Sequence, residues 1–287
     1  DSAGVAYRND GRIAVLRTPG RVADLEALVP ESETTVAIGH TRWATHGAPT
    51  EENAHPHMDP SGQIVLVHNG IIDNHQKLKS ELEAEGNVFS SQTDSEVIAH
   101  LIARAYQGDL VLAVEKVMPM LDGTFALAVM AADEPGLMVG ARRGSPLAVG
   151  VGEGVNLLAS DAVPILGHTK KVIFLEDDQL AVLTPDSVKV LAGGRPVALA
   201  ISEIQWSAEA AQKAGYPHFM LKEIFEQPTV LEEMVRSRLR LPQNPADAPE
   251  YKMEEAVLPD EYFTGLSRIV LVAQGTAYHA CMVGRNM

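Results

Sequence analysis

Cysteine is nearly absent from this chain: its 287 residues include one, Cys281. A disulfide within the chain is therefore excluded, and nothing points to an oxidising compartment. Long apolar runs are missing too; none approaches the roughly 20 residues a helix needs to cross a bilayer. Basic residues are in deficit, 23 Lys and Arg against 38 Asp and Glu, and the formal charge of −15 gives a field that repels phosphate backbones. Nucleic acid is thus not an expected partner, although a local cluster of donors can still hold a small anion. No initiator Met precedes Asp1, and neither a basic n-region nor an apolar h-region follows it. A cytoplasmic location without a membrane partner is the expectation, and the sequence reads as a piece cut at both ends.

What is present is a globular composition, 46% hydrophobic and 21% charged, in a length suited to about two domains of roughly 150 residues. Residues 12–17 and 35–39 form short β-branched or aliphatic runs with a short helical stretch at 21–28 between them. The fourfold apolar run at 64–67 predicts a buried strand that enters a polar turn at His68-Asn69-Gly70. Asn74 is placed to cap a helix over 75–84, and Asp94 to cap one over 95–106; a third helix is expected over 109–121. From Thr124 the period changes, and short strands are expected at 125–130, 137–142, 147–151, 155–159, 171–175, 179–183 and 188–191, with a turn at Gly193-Gly194. A polar stretch at 205–215 reads as a linker. A helical pattern broken at Pro228 follows over 219–238, and an apolar strand at 267–273 runs into Gly275 and a helical tail.

Three constellations carry chemistry. Arg42 offers a planar fork for a carboxylate, with Trp43 beside it able to cover a small pocket; the same residues also suit a surface ion pair and a core aromatic. Asn69-Gly70 places a side-chain amide beside an unhindered backbone N–H, the two donors an oxyanion hole needs, although Asn-Gly is also a common hairpin turn. Asp94 can anchor an ammonium group or cap a helix. Histidines 40, 46, 55, 57 and 68 raise a metal site, but no nearby cysteine and no H-E-x-x-H spacing completes a ligand set. No metal and no other cofactor is expected.

The motifs DSAG at 1–4, HTRWATHG at 40–47, NAHPH at 53–57, VHNGIIDN at 67–74 and QTDSEV at 92–97, in this order, closely resemble the glutaminase domain of the glutamine–fructose-6-phosphate aminotransferases. MLKEIFEQP at 220–228 and QGTAYHA at 274–280 look like the start of that family's sugar-isomerase domain. The resemblance implies an α+β chain. Residues 1–200 would form an N-terminal nucleophile hydrolase, a four-layer α/β/β/α sandwich, residues 201–216 a linker, and residues 217–287 the first elements of an α/β sugar-isomerase domain.

It also implies roles. Arg42 would grip the α-carboxylate of L-glutamine and Asp94 its α-ammonium, with Thr45 and His46 lining the pocket. Asn69 and Gly70 would form the oxyanion hole, and Trp43 would gate the site and direct ammonia toward D-fructose 6-phosphate. Thr276 would contact the sugar phosphate. The family's nucleophile is a cysteine at the mature N-terminus, upstream of the DSAG motif, so it is expected to be absent here, and Cys281 does not replace it. Where the family has Cys-Gly-Thr-Ser, this chain has Gln274-Gly275-Thr276-Ala277, which puts one sugar contact in doubt. The whole enzyme would be a homodimer making D-glucosamine 6-phosphate, and the piece alone would hydrolyse no glutamine. Two rival readings are another amidotransferase with the same glutaminase half, such as a phosphoribosyl-pyrophosphate amidotransferase or an asparagine synthetase, and a non-catalytic binding protein on a decayed glutaminase fold.

Overall fold

The structure, a computed structural model, describes residues 1–9, 11–31, 33–43, 47–204, 215–240, 250–251, 265–268, 270–273 and 276–286. The chain divides into two compact units, Asp1–Gln212 and Lys213–Met287.

The first unit is organised around an antiparallel seven-stranded sheet in the order β13-β12-β11-β7-β6-β5-β4. Its central strands are β5 (Ile64–Ile72), β6 (Gly123–Ala131), β7 (Met138–Arg143) and β11 (Gln179–Thr184); β4 (His57–Met58), β12 (Ser187–Ala192) and β13 (Arg195–Val197) complete it. The run TFALAVMA on β6 is apolar on both faces because both faces are covered. Phe125, Leu127 and Val129 point to one side and Ala126 and Met130 to the other, as the two-residue period of a strand requires. On the first side lie α2 (His75–Ala84), α3 (Glu96–Ala105) and α4 (Leu110–Val117), the last prolonged by a 3₁₀ turn at Met118–Met120. Helix α3 is packed between the other two and against β5. Its Val97, Ile98, Leu101 and Ile102 are fully buried, each stabilising the unit by roughly 1.5–3 kcal/mol.

Two smaller sheets cover the opposite face. One has the order β2-β1-β3, built from β1 (Ser2–Asn9), β2 (Arg12–Pro19) and β3 (Ala37–Arg42), and it packs through Ala6 and Ile38 onto Val65 and Met130. The other has the order β14-β10-β8-β9, built from β8 (Ala148–Val151), β9 (Asn156–Ala159), β10 (Lys171–Phe174) and β14 (Ser202–Glu203), and it packs through Val149 and Ile173. Outside them lies a thin fourth layer: α1 (Val22–Glu26) with its buried Leu25, and a 3₁₀ turn at Val163–Ile165 whose Ile165 packs on Val172 and Ile204. The expected α/β/β/α order is present, with its outer layer reduced to these two short pieces.

Several expectations need correction. Strand β5 does not turn at His68-Asn69-Gly70 but continues to Ile72, paired residue by residue with β6. Gly70 serves a close approach rather than a hairpin: at its φ of 140° an added Cβ would lie 2.1 Å from the Thr124 carbonyl oxygen. The residue capping α3 is Ser95, and Asp94 instead turns inward, its Oδ2 accepting from Ile72 N at 2.8 Å. Asn74 does occupy the cap position of α2, but its side chain bonds Met120 O and Asp122 N across the next turn.

In the second unit, α5 (Phe219–Arg238) runs through Pro228 without a break, since proline removes only one intrahelical bond. The strand expected at 267–273 is not formed among the described residues: a strand persists only in a ladder, and the one ladder described in this unit joins β15 (Leu239–Arg240) to β16 (Glu250–Tyr251). The tail helix α6 (Thr276–Asn286) is present and carries Cys281. No helix among the described residues is long and apolar enough to cross a membrane.

The loop that enters α3 is organised by a buried carboxylate. Glu96 Oε1 accepts from Ser90 N (2.8 Å) and Ser90 Oγ (2.7 Å), and Oε2 from Ser91 N (2.6 Å). Burial alone would raise this carboxyl; the nearby His100 and the hydrogen bonds from Ser91 and Ser90 outweigh it and hold the group far below the ordinary carboxylate range. A depressed folded pKa contributes stability that is complete above the unfolded value of about 4.5 and is lost as the pH falls below it. Glu96→Gln is therefore expected to cost about 2 kcal/mol at neutral pH and to flatten the acid limb of stability, read by urea unfolding across pH. An unchanged acid limb would show that another group carries it.

Candidate active site

Three elements meet at a cavity of about 220 Å³. Strand β3 ends on Arg42, β5 brings His68, Asn69 and Gly70, and the loop before α3 brings Thr93, Asp94 and Ser95. The volume lies below the roughly 300–1,000 Å³ of drug-sized ligand pockets and suits a small metabolite. The segment 47–57 closes one side. Asn53 accepts from Gln92 N (2.8 Å) and donates to Ala48 O (3.0 Å), while Arg17 Nε holds Pro56 O at 2.8 Å. Gly4 makes this closure possible, because a Cβ there would lie 2.0 Å from the His55 carbonyl oxygen.

Two opposite charges are buried in this cavity, Arg42 and Asp94. The Arg42 guanidinium donates to Ala48 O (3.3 Å) and Gly47 O (3.4 Å). Burial lowers its pKa and the Asp94 carboxylate opposes that; a guanidinium stays charged regardless. A cation and an anion facing one small cavity complement a zwitterion. Beside them, the exposed Asn69 and Gly70 put an amide and a backbone N–H along one edge. Such a pair can stabilise charge developing on a carbonyl oxygen.

Four histidines surround these groups. His68 and Asn69, as neighbours on a strand, point to opposite faces: His68 toward α3, Asn69 toward β3 and His40. His68 Nε2 faces the Thr124 carbonyl at 3.4 Å, so that nitrogen carries the proton and Nδ1 accepts from Ser95 Oγ at 2.8 Å. His55 Nε2 then donates to Ser95 Oγ at 3.0 Å, leaving its Nδ1 a bare lone pair with no partner among the described residues. This assignment gives the Ser95 proton to His68 rather than to the more distant Asp94 Oδ1 and leaves both rings neutral, and burial pushes both pKa values down. His57, bonded to Thr93 Oγ1 at 3.1 Å, is pushed down to about 3 by burial. His40, its ring tilted against His55 with centroids 4.3 Å apart, is pushed down to about 4 by burial, which the neighbouring Asn69 side chain opposes. The rings thus bind to hydroxyls and to one another. Among the described residues no group of three or more His, Cys, Asp or Glu is arranged to hold a metal.

Of the residues singled out in the sequence, Arg42, Asn69, Gly70 and Asp94 come together at this cavity. Trp43 stands at its rim, 84% exposed. Thr45 and His46 lie outside the described residues. Thr276 opens α6 in the second unit, and residues 274–275 before it also lie outside the description. Gly4, Thr93, Ser95 and Glu96 were not singled out; all four fall inside the DSAG and QTDSEV motifs, which was the available signal.

A model of the glutamine amidotransferase domain matches residues 40–166. The isomerizing glutamine–fructose-6-phosphate aminotransferase of Aquifex aeolicus is 45% identical over 288 residues, 99% of this chain and 46% of that protein. Its namesake from Symbiobacterium thermophilum is 46% identical over 290 residues, 100% of this chain and 47% of that protein. Among solved structures, the glutamine phosphoribosylpyrophosphate amidotransferase of B. subtilis, complexed with ADP and GMP, superimposes with a TM-score of 0.55 at 25% identity, over 67% of this chain and 43% of that one. An allosteric regulatory enzyme of purine biosynthesis matches with a TM-score of 0.56 at the same identity and coverage. The fold is that of the N-terminal nucleophile amidotransferases, and the chain spans about half the length of the curated relatives it matches. Residues 40–166 thus match the glutamine amidotransferase domain, and along nearly its whole length the chain is similar to the glutamine–fructose-6-phosphate aminotransferases.

Proposed function

We propose that the first unit is the glutamine site of an enzyme that hydrolyses L-glutamine and passes the ammonia to D-fructose 6-phosphate, giving L-glutamate and D-glucosamine 6-phosphate. The observation that carries this reading is the burial of Arg42 and Asp94 in one small cavity edged by Asn69 and Gly70. Arg42 takes the α-carboxylate of glutamine and Asp94 its α-ammonium, which leaves the side-chain amide to extend toward Asn69. Thr45 and His46, outside the described residues, are assigned to the same substrate, and Trp43 at the rim gates the pocket. The relatives' names supply the sugar substrate, and Thr276 is assigned to its phosphate.

The attacking group is a thiolate. It adds to the amide carbon, the carbonyl oxygen becomes an oxyanion held by Asn69 and Gly70, ammonia leaves with a proton from the general base, and water cleaves the thioester to glutamate. The single cysteine, Cys281, sits in the second unit, so residues 1–212 bind and polarise glutamine without a thiol of their own. A cleft of about 220 Å³ offers a route for one. It runs between β3 and β9, both edge strands, and reaches His40 and Asn69. An incoming strand could pair with either edge and end beside the oxyanion donors. The second unit is read as the beginning of the sugar-isomerase domain, in a cytoplasmic homodimer.

Three outcomes test this. In the full-length enzyme, Arg42→Ala is expected to raise the glutamine KM by roughly 10-fold or more, since a buried carboxylate loses its charged partner. Asn69→Ala is expected to lower glutaminase kcat by about 10²–10³-fold with little change in KM. The 287-residue chain itself is expected to bind L-glutamine in calorimetry and release no ammonia; enzymatic ammonia release by this chain would overturn the thiol assignment.

A further inference from the structure

Among the described residues, Ser95 joins His68, His55 and Asp94 at the base of the site. Its hydroxyl lies 2.8 Å from His68 Nδ1 and 3.0 Å from His55 Nε2, and the chain joins it directly to Asp94. The His68 ring lies directly under Gly70: a Cβ at Gly70 would sit 3.0 Å from His68 Nε2, the nitrogen that faces Thr124 O. The His55 ring lies tilted against His40, centroids 4.3 Å apart, and His40 lines the same cleft as Asn69. One hydroxyl therefore links the Asn69–Gly70 pair on β5, the segment 53–57, and the carboxylate of Asp94. Among the described residues no other group bonds it. Ser95 is the cap residue of α3, yet its side chain makes no cap bond, and Thr93 Oγ1 accepts from Glu96 N at 3.4 Å instead. Its third contact, to Asp94 Oδ1 at 3.5 Å, is the longest of the three.

We propose that Ser95 is a positioning residue for the glutaminase step: its hydroxyl, bridging His55 and His68, sets the distance from the Asn69–Gly70 donors to the head group held at Asp94. The inference rests on the assignment of Asn69 and Gly70 as the oxyanion pair. An oxyanion hole stabilises only the charge that develops during reaction, so misplacing it slows turnover without weakening substrate binding.

The test is Ser95→Ala in the full-length enzyme, with glutaminase rates expressed per thiol titrated by an irreversible glutamine analogue. Glutaminase kcat per titrated site is expected to fall roughly 10-fold or more while the glutamine KM stays within about 3-fold, and Ser95→Thr is expected to recover most of the loss. Activity that falls only in step with the number of titratable sites would overturn the proposal, as would a KM that rises in parallel with the loss of kcat. If Ser95→Ala does not fold, Ser95→Cys, which keeps the volume but weakens both hydrogen bonds, reads the same split between kcat and KM. Asn69→Ala in the same assay separates the two ideas. Full kcat in that variant removes the oxyanion assignment itself, whereas a slow Asn69→Ala beside an unimpaired Ser95→Ala removes only the role of Ser95.

Discussion

Burying two opposite charges in one small cavity is the constraint to which the rest of the first unit answers. Removing Arg42 and Asp94 from water costs several kcal/mol per ion unless fixed dipoles replace the solvent. Among the described residues, backbone groups supply several of those dipoles. Arg42 is met by the carbonyls of Gly47 and Ala48, and Asp94 by the amide of Ile72. Each partner belongs to a segment that is itself tightly held. Residues 47–53 are tied to Gln92 through Asn53, and Ile72 is the last residue of β5, in register with Gly123. The groups that meet the two charges are thus themselves anchored by hydrogen bonds to other segments.

Glycine makes that arrangement sterically possible. Gly4 lets β1 approach the backbone of His55, and Gly70 lets β6 approach β5 at the point where Asn69 and Gly70 edge the cavity. A methyl group at either place would collide with a carbonyl oxygen that has no flexible end to swing aside. The glycine in DSAG and the one in HNG thus do the same physical job: they bring two backbones closer than side chains allow, and a site is built on the contact.

Sequence patterns revealed the elements better than the connections between them. The helices α2, α3 and α4 and the strands from β6 to β12 were legible because their apolar periods are long and their faces buried. Strand β1 was not, since SAGVAYRN carries too few large apolar residues to announce itself, and its strand character comes from pairing with both β2 and β3. The Asn69-Gly70 dipeptide misled in a specific way. Its turn propensity is local, while the pairing with Ala126 and Phe125 that keeps it in a strand is made more than fifty residues away. Arg42 and Asp94 could be singled out by chemistry. The bonds of Ser95 to His68 and His55 span 27 and 40 residues and leave no periodic trace.

The position of Glu96 next to this site follows from the same electrostatics. Two carboxylates two residues apart, Asp94 and Glu96, would repel if both were open to the cavity. Glu96 is turned away and saturated by the amides of Ser90 and Ser91 and the Ser90 hydroxyl, with His100 3.7 Å from it and the charge of Arg17 also acting on it. It also sits in the first turn of α3, where the helix dipole favours a negative charge. Its charge is thereby consumed in fixing the loop, which leaves Asp94 as the carboxylate that faces the cavity with Arg42. The division of labour between these two acids, one spent on structure and one facing the cavity, is what allows a short loop to be held in place and still present a negative charge.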